Sequence, residues 1–341
     1  MTIGDMTAPS VLGTRLRDSA AWRLIGNTPL VELRGIAGSG HRVYAKLEGF
    51  NPGGSIKDRS AARMLAAAVD RGEVGPATTV IESSSGNMAV GLAQLCAVLE
   101  LRLVCVVDAR TSAQNIRLLA AYGAEVDVVT EPDPRTREYL PARMARVAEL
   151  ITANPDSYWP NQYANEANAA AHASTTMPEI AAALDAPPDY LFCAVSTCGT
   201  LAGCVEFVRA RGWPTSVVAV DAVGSAIFPG SRTATRILPG LGAAFRPGLA
   251  DSISPDEVVR VSDADCVRGC RLLLRQQGIM VGASSGGVVS AMLRLAGSAA
   301  PGRHVVILPD RGERYCDTVF DADWVRTRLD VDAEQGWTPW S

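Results

Sequence analysis

Strand-like and helix-like stretches alternate along this chain, and that alternation limits its fold more than any single motif does. Residues 42–47 read as a strand, and residues 60–71 as an Ala-rich helix closed by Gly72. Strands over 78–81, 103–107 and 125–129 are each followed by a helix, over 88–99, 113–121 and 137–152. The habit continues with strand 190–195, helix 201–211 and strand 217–220. Helices over 263–277 and 287–295 then precede a strand at 304–308. A helix after a strand is the crossover that parallel pairing needs. The spacing therefore predicts an α/β fold with mainly parallel sheets. A length of 341 residues suits roughly two domains. Hydrophobic residues at 48% and charged residues at 20% suit a globular chain with a sizeable core rather than a disordered one.

Charge and composition exclude several function classes. Net charge is −4 and the basic residues form no stripe, so no nucleic-acid partner is expected. No apolar run is long enough to span a bilayer, so no membrane partner is expected. Residues 1–17 lack the continuous apolar core of a signal peptide. A cytoplasmic protein is the expectation, with its eight cysteines as reduced thiols. Cys266 and Cys270 stand four apart on a predicted helix. No second Cys or Cys/His pair at ligand spacing accompanies them, so they read as buried thiols and no metal is expected. His41, His172 and His304 each stand alone in the sequence and read as structural or solvated.

In α/β folds ligands gather at the carboxyl ends of strands, and four segments of unusual composition fall there. Asn51 to Arg59 reads N-P-G-G-S-I-K-D-R. Its proline and glycines permit a tight turn that sets Lys57 at the mouth of a helix. The positive helix end disfavours an ammonium, and a neutral amine is what Schiff-base chemistry needs. Glu82 to Met88 reads E-S-S-S-G-N-M, with hydroxyls and first-turn N–H groups that suit a carboxylate. Ser196 to Gly203 reads S-T-C-G-T-L-A-G and can cradle a phosphate, though it has neither the P-loop lysine nor the G-x-G-x-x-G spacing. Gly282 to Gly287 reads G-A-S-S-G-G and places Ser284 and Ser285 before another helix. Taken singly, each segment also fits a plainer reading: a lysine in solvent, an N-cap, an ordinary βα turn.

Together and in this order, these segments resemble the cysteine synthase family of pyridoxal 5′-phosphate (PLP) enzymes. The resemblance runs from G-N-T-P-L (Gly26 to Leu30) to P-D-R-G-E-R-Y (Pro309 to Tyr315). It implies PLP fold type II, tryptophan synthase β-like, with two α/β domains and PLP in the cleft between them. A smaller, mobile domain is expected over 52–158 and a larger, PLP-anchoring one over 16–51 and 159–325, with extensions at 1–15 and 326–341. A homodimer is also implied. Lys57 matches the lysine that holds PLP covalently and then takes the Cα proton. Asn87 matches the residue at the ring oxygen, and Ser284 the one at the pyridine nitrogen. Thr197, Cys198, Gly199 and Thr200 fall on the phosphate loop, and Ser84, Ser85 and Gln162 on the substrate-carboxylate site. A serine cannot protonate the ring nitrogen as an aspartic acid can. The weaker electron sink favours loss of a β-substituent over transamination, with PLP carrying the chemistry and the protein orienting it.

Three departures from the family pattern bear on the substrates. The usual Thr-Ser-Gly-Asn-Thr loop reads Ser84-Ser85-Gly86-Asn87-Met88. The usual Gly-Thr-Gly-Gly-Thr loop reads Ser196-Thr197-Cys198-Gly199-Thr200, and Tyr163 stands where phenylalanine is common. These features resemble the branch that makes precursors of 2,3-diaminopropionate for siderophores or peptide antibiotics. In that branch O-phospho-L-serine is the donor and the α-amino group of L-glutamate attacks. Ser196 and Tyr163 add hydroxyls that an amino-acid nucleophile can use. A phosphate leaving group calls for a guanidinium. Arg143 is the first candidate and Arg232 the second. The alternative is a cysteine synthase that uses sulfide with O-acetylserine or O-phosphoserine. A non-catalytic PLP-binding scaffold is disfavoured by intact Lys57, Asn87 and Ser284.

Overall fold

A computed structural model describes residues 10–230, 234–251, 253–298 and 300–329. Arg232 and the terminal extension beyond Leu329, with Trp337 and Trp340, lie outside the described residues. The strands are β1 (Leu30–Glu32), β2 (Arg42–Leu47), β3 (Thr79–Ser83), β4 (Arg102–Asp108), β5 (Glu125–Val129), β6 (Ser157–Tyr158), β7 (Tyr190–Ala194), β8 (Ser216–Ala222), β9 (Glu257–Val261) and β10 (Arg303–Leu308). They form a six-stranded sheet in the order β1-β2-β10-β7-β8-β9 and a four-stranded sheet in the order β5-β4-β3-β6. β1 runs antiparallel to β2, and every other named pairing is parallel. The α/β expectation therefore holds.

The chain divides into two compact units. One comprises Ala61–Asn161 with the described residues up to Ile25, and holds the four-stranded sheet. The other comprises Gly26–Ser60 and the described residues from Gln162 onward, and holds the six-stranded sheet. The boundaries differ from the expected ones at three stretches, the shortest being residues 159–161, which group with the first unit. Residues 16–25 group with the first unit, where the helix Val11–Asp18 packs on the helix Asn87–Leu99 and Arg17 pairs with Asp70. Residues 52–60 group with the second, because Arg311 N donates to Gly54 O and Ile56 N to Pro309 O.

Parallel strands buried on both faces give each unit its core. In the first, Ile81, Val104 and Val106 pack against Val147 of the helix Tyr139–Ala153. In the second, the helices Asp263–Gln277 and Ala283–Ala296 lie on one face of the sheet, with Val218, Val220, Val289 and Met292 buried together. These two helices nearly touch: a Cβ on Gly269 would stand 2.0 Å from Gly286 O. Cys266 and Cys270 are buried in this contact, and the Cys270 thiol donates to Gly282 O at 3.2 Å. Their role is packing. Among the described residues no helix is long and apolar enough to cross a membrane.

Candidate active site

In the second unit, the loop after β2 delivers Lys57. A 3-10 turn at Glu48–Phe50 follows β2 directly, and the helix Lys57–Asp70 begins at the lysine itself. Gly53 N donates to Asp58 Oδ2, and a Cβ at Gly53 would fall 2.5 Å from Asp58 Oδ1, so a larger residue is excluded. Beneath the loop lies a buried ionic network. Arg59 donates to Glu48 at 2.7 Å and to Glu179 at 2.6 Å, and Lys46 donates to Glu179 at 2.6 Å. Burial pushes the Glu179 carboxyl up, but the bonds from Arg59 and Lys46 prevail and hold it at about 2. Asn51 Oδ1 accepts from Gly26 N at 2.8 Å, and its amide donates to Glu48.

The segment after β10 joins this loop to the one that carries Ser284. Pro309 O accepts from Ile56 N, Asp310 O from Gly282 N, and Arg311 N donates to Gly54 O. Ser284 and Ser285 are buried in the first turn of the helix Ala283–Ala296, not before it, because Gly282 takes the cap position. Ser285 Oγ is buried without a hydrogen-bond partner among the described residues.

The loop after β7 supplies the hydroxyls nearest the lysine. Lys57 Nζ stands 3.3 Å from Thr197 Oγ1. The residue keeps some exposed surface, but its amine is enclosed, and burial pushes the ammonium down to about 8. Cys198 caps the helix Gly199–Ala210 in a left-handed conformation, φ +68°. That conformation costs a side-chain-bearing residue on the order of 1–2 kcal/mol, which explains why the family pattern has glycine there. Gly199 allows a still closer approach, since a Cβ on it would lie 2.2 Å from Asn168 Oδ1. Asn168 is fully buried, and its Nδ2 donates to Gln162 O at 2.8 Å and to Thr197 Oγ1 at 3.2 Å. Gln162 itself is buried, Tyr163 stacks at a tilt on Phe245 with centroids 5.1 Å apart, and Ser196 is half-buried.

The histidines do not stand alone. His41 Nδ1 lies 2.9 Å from His304 Nε2. His172 is wholly buried in a π-helical turn, His172–Thr176, that interrupts the helical run between Glu166 and Ala183. Its Nε2 lies 3.1 Å from Ser60 Oγ and 3.3 Å from Thr200 Oγ1, and its Nδ1 lies 3.0 Å from Thr176 Oγ1. Burial, with Lys57 and Arg59 nearby, holds the imidazole neutral. Sequence reading missed Asn168, His172 and Arg59 as parts of the site. The π turn, a feature frequent at functional sites, had no local signature beyond the Thr175-Thr176 pair.

In the first unit the remaining candidates gather at the carboxyl edge of its sheet. Ser84, at the end of β3, accepts from Ala89 N at 3.2 Å and Gly86 N at 3.4 Å. Ser85 O accepts from Asn115 Nδ2 at 2.9 Å. Asn87 opens the helix Asn87–Leu99, half-buried, and Met88 follows it into the core. Arg143 lies on the helix Tyr139–Ala153, with Nε 3.4 Å from Asp108 Oδ2 at the end of β4. It is mostly buried rather than a solvated surface arginine. One unit thus collects Ser84, Ser85, Asn87, Met88 and Arg143. The other collects Lys57, Gln162, Tyr163, Ser196, Thr197, Cys198, Gly199, Thr200 and Ser284.

Comparison with known proteins gives a consistent picture. A family profile described as "Pyridoxal-phosphate dependent enzyme" matches residues 21–310. The chain is 46% identical over 304 residues to the N-(2-amino-2-carboxyethyl)-L-glutamate synthase of Ralstonia nicotianae, covering 88% of this chain and 89% of that protein. It is 43% identical over 307 residues to the protein of the same name from Cupriavidus metallidurans, with the same coverage. Among solved structures, O-ureido-L-serine synthase aligns with a TM-score of 0.82 at 28% identity, over 93% of this chain and 98% of that one.

Proposed function

Because the chain belongs to the family of pyridoxal-phosphate dependent enzymes, we propose that it catalyses β-replacement on O-phospho-L-serine with L-glutamate as the amine nucleophile. The products are N-(2-amino-2-carboxyethyl)-L-glutamate and inorganic phosphate, the former a precursor of 2,3-diaminopropionate. The Cβ–O bond to phosphate breaks and a bond from Cβ to the glutamate nitrogen forms. The observation that carries this reading is the pair of relatives at 46% and 43% identity that bear the name of such a synthase.

PLP is the cofactor. Three features support the fit of the second unit to it: an enclosed amine at Lys57, the hydroxyls of Thr197 and Thr200 at a helix N-terminus, and the buried hydroxyls at Ser284 and Ser285. When bound, PLP supplies the electron sink that lets the Cα proton and the β-substituent leave. Lys57 Nζ, neutral above about pH 8, holds the cofactor and takes the Cα proton. Thr197, Cys198, Gly199 and Thr200 hold the phosphate through hydroxyls and N–H groups. Ser284 would hold the ring nitrogen and Asn87 the ring oxygen. Ser84 and Ser85, with the N–H groups of their helix entrance, take the substrate carboxylate, and Gln162 serves the same group. Met88 lines that loop. Ser196 and Tyr163 offer hydroxyls to the incoming amino acid, and Arg143 offers a guanidinium to the leaving phosphate. The same reading takes the enzyme as a cytoplasmic homodimer, the habit of the family that the sequence resembles.

A matrix of donors and nucleophiles tests this. O-phosphoserine with glutamate is the expected pairing. Rapid cysteine formation from sulfide with either donor, without a glutamate adduct, would return the enzyme to the cysteine synthases.

A further inference from the structure

Asn168 and His172 lie one helical turn apart and reach the loop after β7 from behind. Gly199 and Gly203 make this approach possible. A Cβ on Gly203 would stand 2.3 Å from Ala169 O and 2.8 Å from His172 Cβ. The orientation of the Asn168 amide is fixed by its second partner: the atom facing Gln162 O must be the NH2 group, since a carbonyl only accepts. That same NH2 group faces Thr197 Oγ1, so Thr197 receives a hydrogen bond from Asn168. The hydroxyl proton of Thr197 is then free to point elsewhere. A phosphate dianion accepts hydrogen bonds and has none to give. A hydroxyl that binds it must donate forward, and is best supported by a donor behind it.

We propose that Asn168 and His172 are positioning residues that set the hydrogen-bond polarity of the phosphate loop, each donating to a threonine hydroxyl so that the hydroxyl donates to the cofactor phosphate. For His172 this requires the tautomer with its proton on Nε2, shared between Thr200 Oγ1 and Ser60 Oγ, while Nδ1 accepts from the Thr176 hydroxyl. Ser60 lies on the helix that begins at Lys57, so the same imidazole ties the cofactor lysine to the phosphate loop. The inference rests on the reading of Thr197 and Thr200 as phosphate ligands.

The test is the side-chain 15N spectrum of His172 in the holoenzyme, alongside the PLP dissociation constants of three variants. The expected tautomer carries its proton on Nε2. His172→Phe, which removes the donor, and Thr200→Val, which removes the hydroxyl, are each expected to weaken PLP binding by about tenfold, the effect of losing one hydrogen bond to a charged group. His172→Gln retains an N–H donor and is expected to stay within about threefold of the parent. A proton on Nδ1 with Nε2 bare overturns the inference, and that measurement needs no variant to fold. Equal weakening by His172→Phe and His172→Gln also overturns it, since a merely structural role would not separate them. If Thr200→Val leaves PLP affinity unchanged, the reading of the loop as the phosphate site fails instead.

Discussion

At the carboxyl end of β2, the loop that carries Lys57 is held by side chains that are themselves buried. At the carboxyl end of β3, Ser84 is held by backbone donors. Around Lys57, Arg59 bridges Glu48 and Glu179, Lys46 completes the pairing, and Asn51 ties the loop to Gly26. Around Ser84, the hydroxyl accepts from N–H groups of its own turn at 3.2 and 3.4 Å. A group that must hold a covalent cofactor and then move a proton needs a fixed approach. A loop that takes a carboxylate needs donors that can change partners. The N–H groups now engaged by Ser84 are of that kind. The ionic network is a source of position more than of net stability, because desolvation offsets much of its attraction.

The contrast can be broken most sharply at the lysine. Lys57→Ala is expected to lose at least about a thousandfold in turnover and the visible absorbance of the bound cofactor. Turnover at the parental rate would remove Lys57 from the chemistry. Arg59→Met tests the buried network next. It leaves Glu48 and Glu179 without their guanidinium and is expected to cost about 3–5 kcal/mol in denaturant melts. Arg102→Met, which breaks the exposed pair with Glu125 in the other unit, is expected to cost less than about 1 kcal/mol. Similar losses from both would erase the distinction.

Smaller effects sharpen it. Arg143→Ala is expected to weaken use of O-phosphoserine at least about tenfold more than use of O-acetylserine, read as a ratio of kcat/KM values. Equal losses with both donors would count against a phosphate contact. Capture of PLP by the apoenzyme follows the neutral fraction of Lys57. With the ammonium lowered by burial to about 8, the rate should rise with pH up to about 8 and level off above it. A rate still climbing toward the ordinary lysine value would mean the amine is not enclosed in solution.

Much of this arrangement was legible in the sequence because local rules carry it. The helix over 113–121, the helix over 263–277 and the strand over 125–129 appear at the expected bounds, since apolar period and punctuation agree there. The strands β1, β6 and β9 were not expected: β1 and β6 are three and two residues long and made by their neighbours' edges, and β9 is the last strand of its sheet, paired only with β8. The first turns of three helices took in Lys57, Gly199 and Ser284 more closely than the sequence suggested, because the caps lie at or just before them. Asn168 and His172 could not be found from spacing alone. Their partners, Gln162, Thr197, Ser60 and Thr200, come from three separate segments that only the tertiary fold assembles. The one available signal at Cys198 was the glycine it replaces in the family pattern, and the φ of +68° gives that glycine its reason.

In the proposed reaction the bond formed joins the β-carbon of phosphoserine to the nitrogen of glutamate. Mass spectrometry of the product made from O-phosphoserine and 15N-labelled glutamate tests it directly. The expected result is a single adduct that retains the 15N label, with one phosphate released per adduct. Phosphate released with only unlabelled pyruvate and ammonia, or with cysteine when sulfide is present, would contradict it.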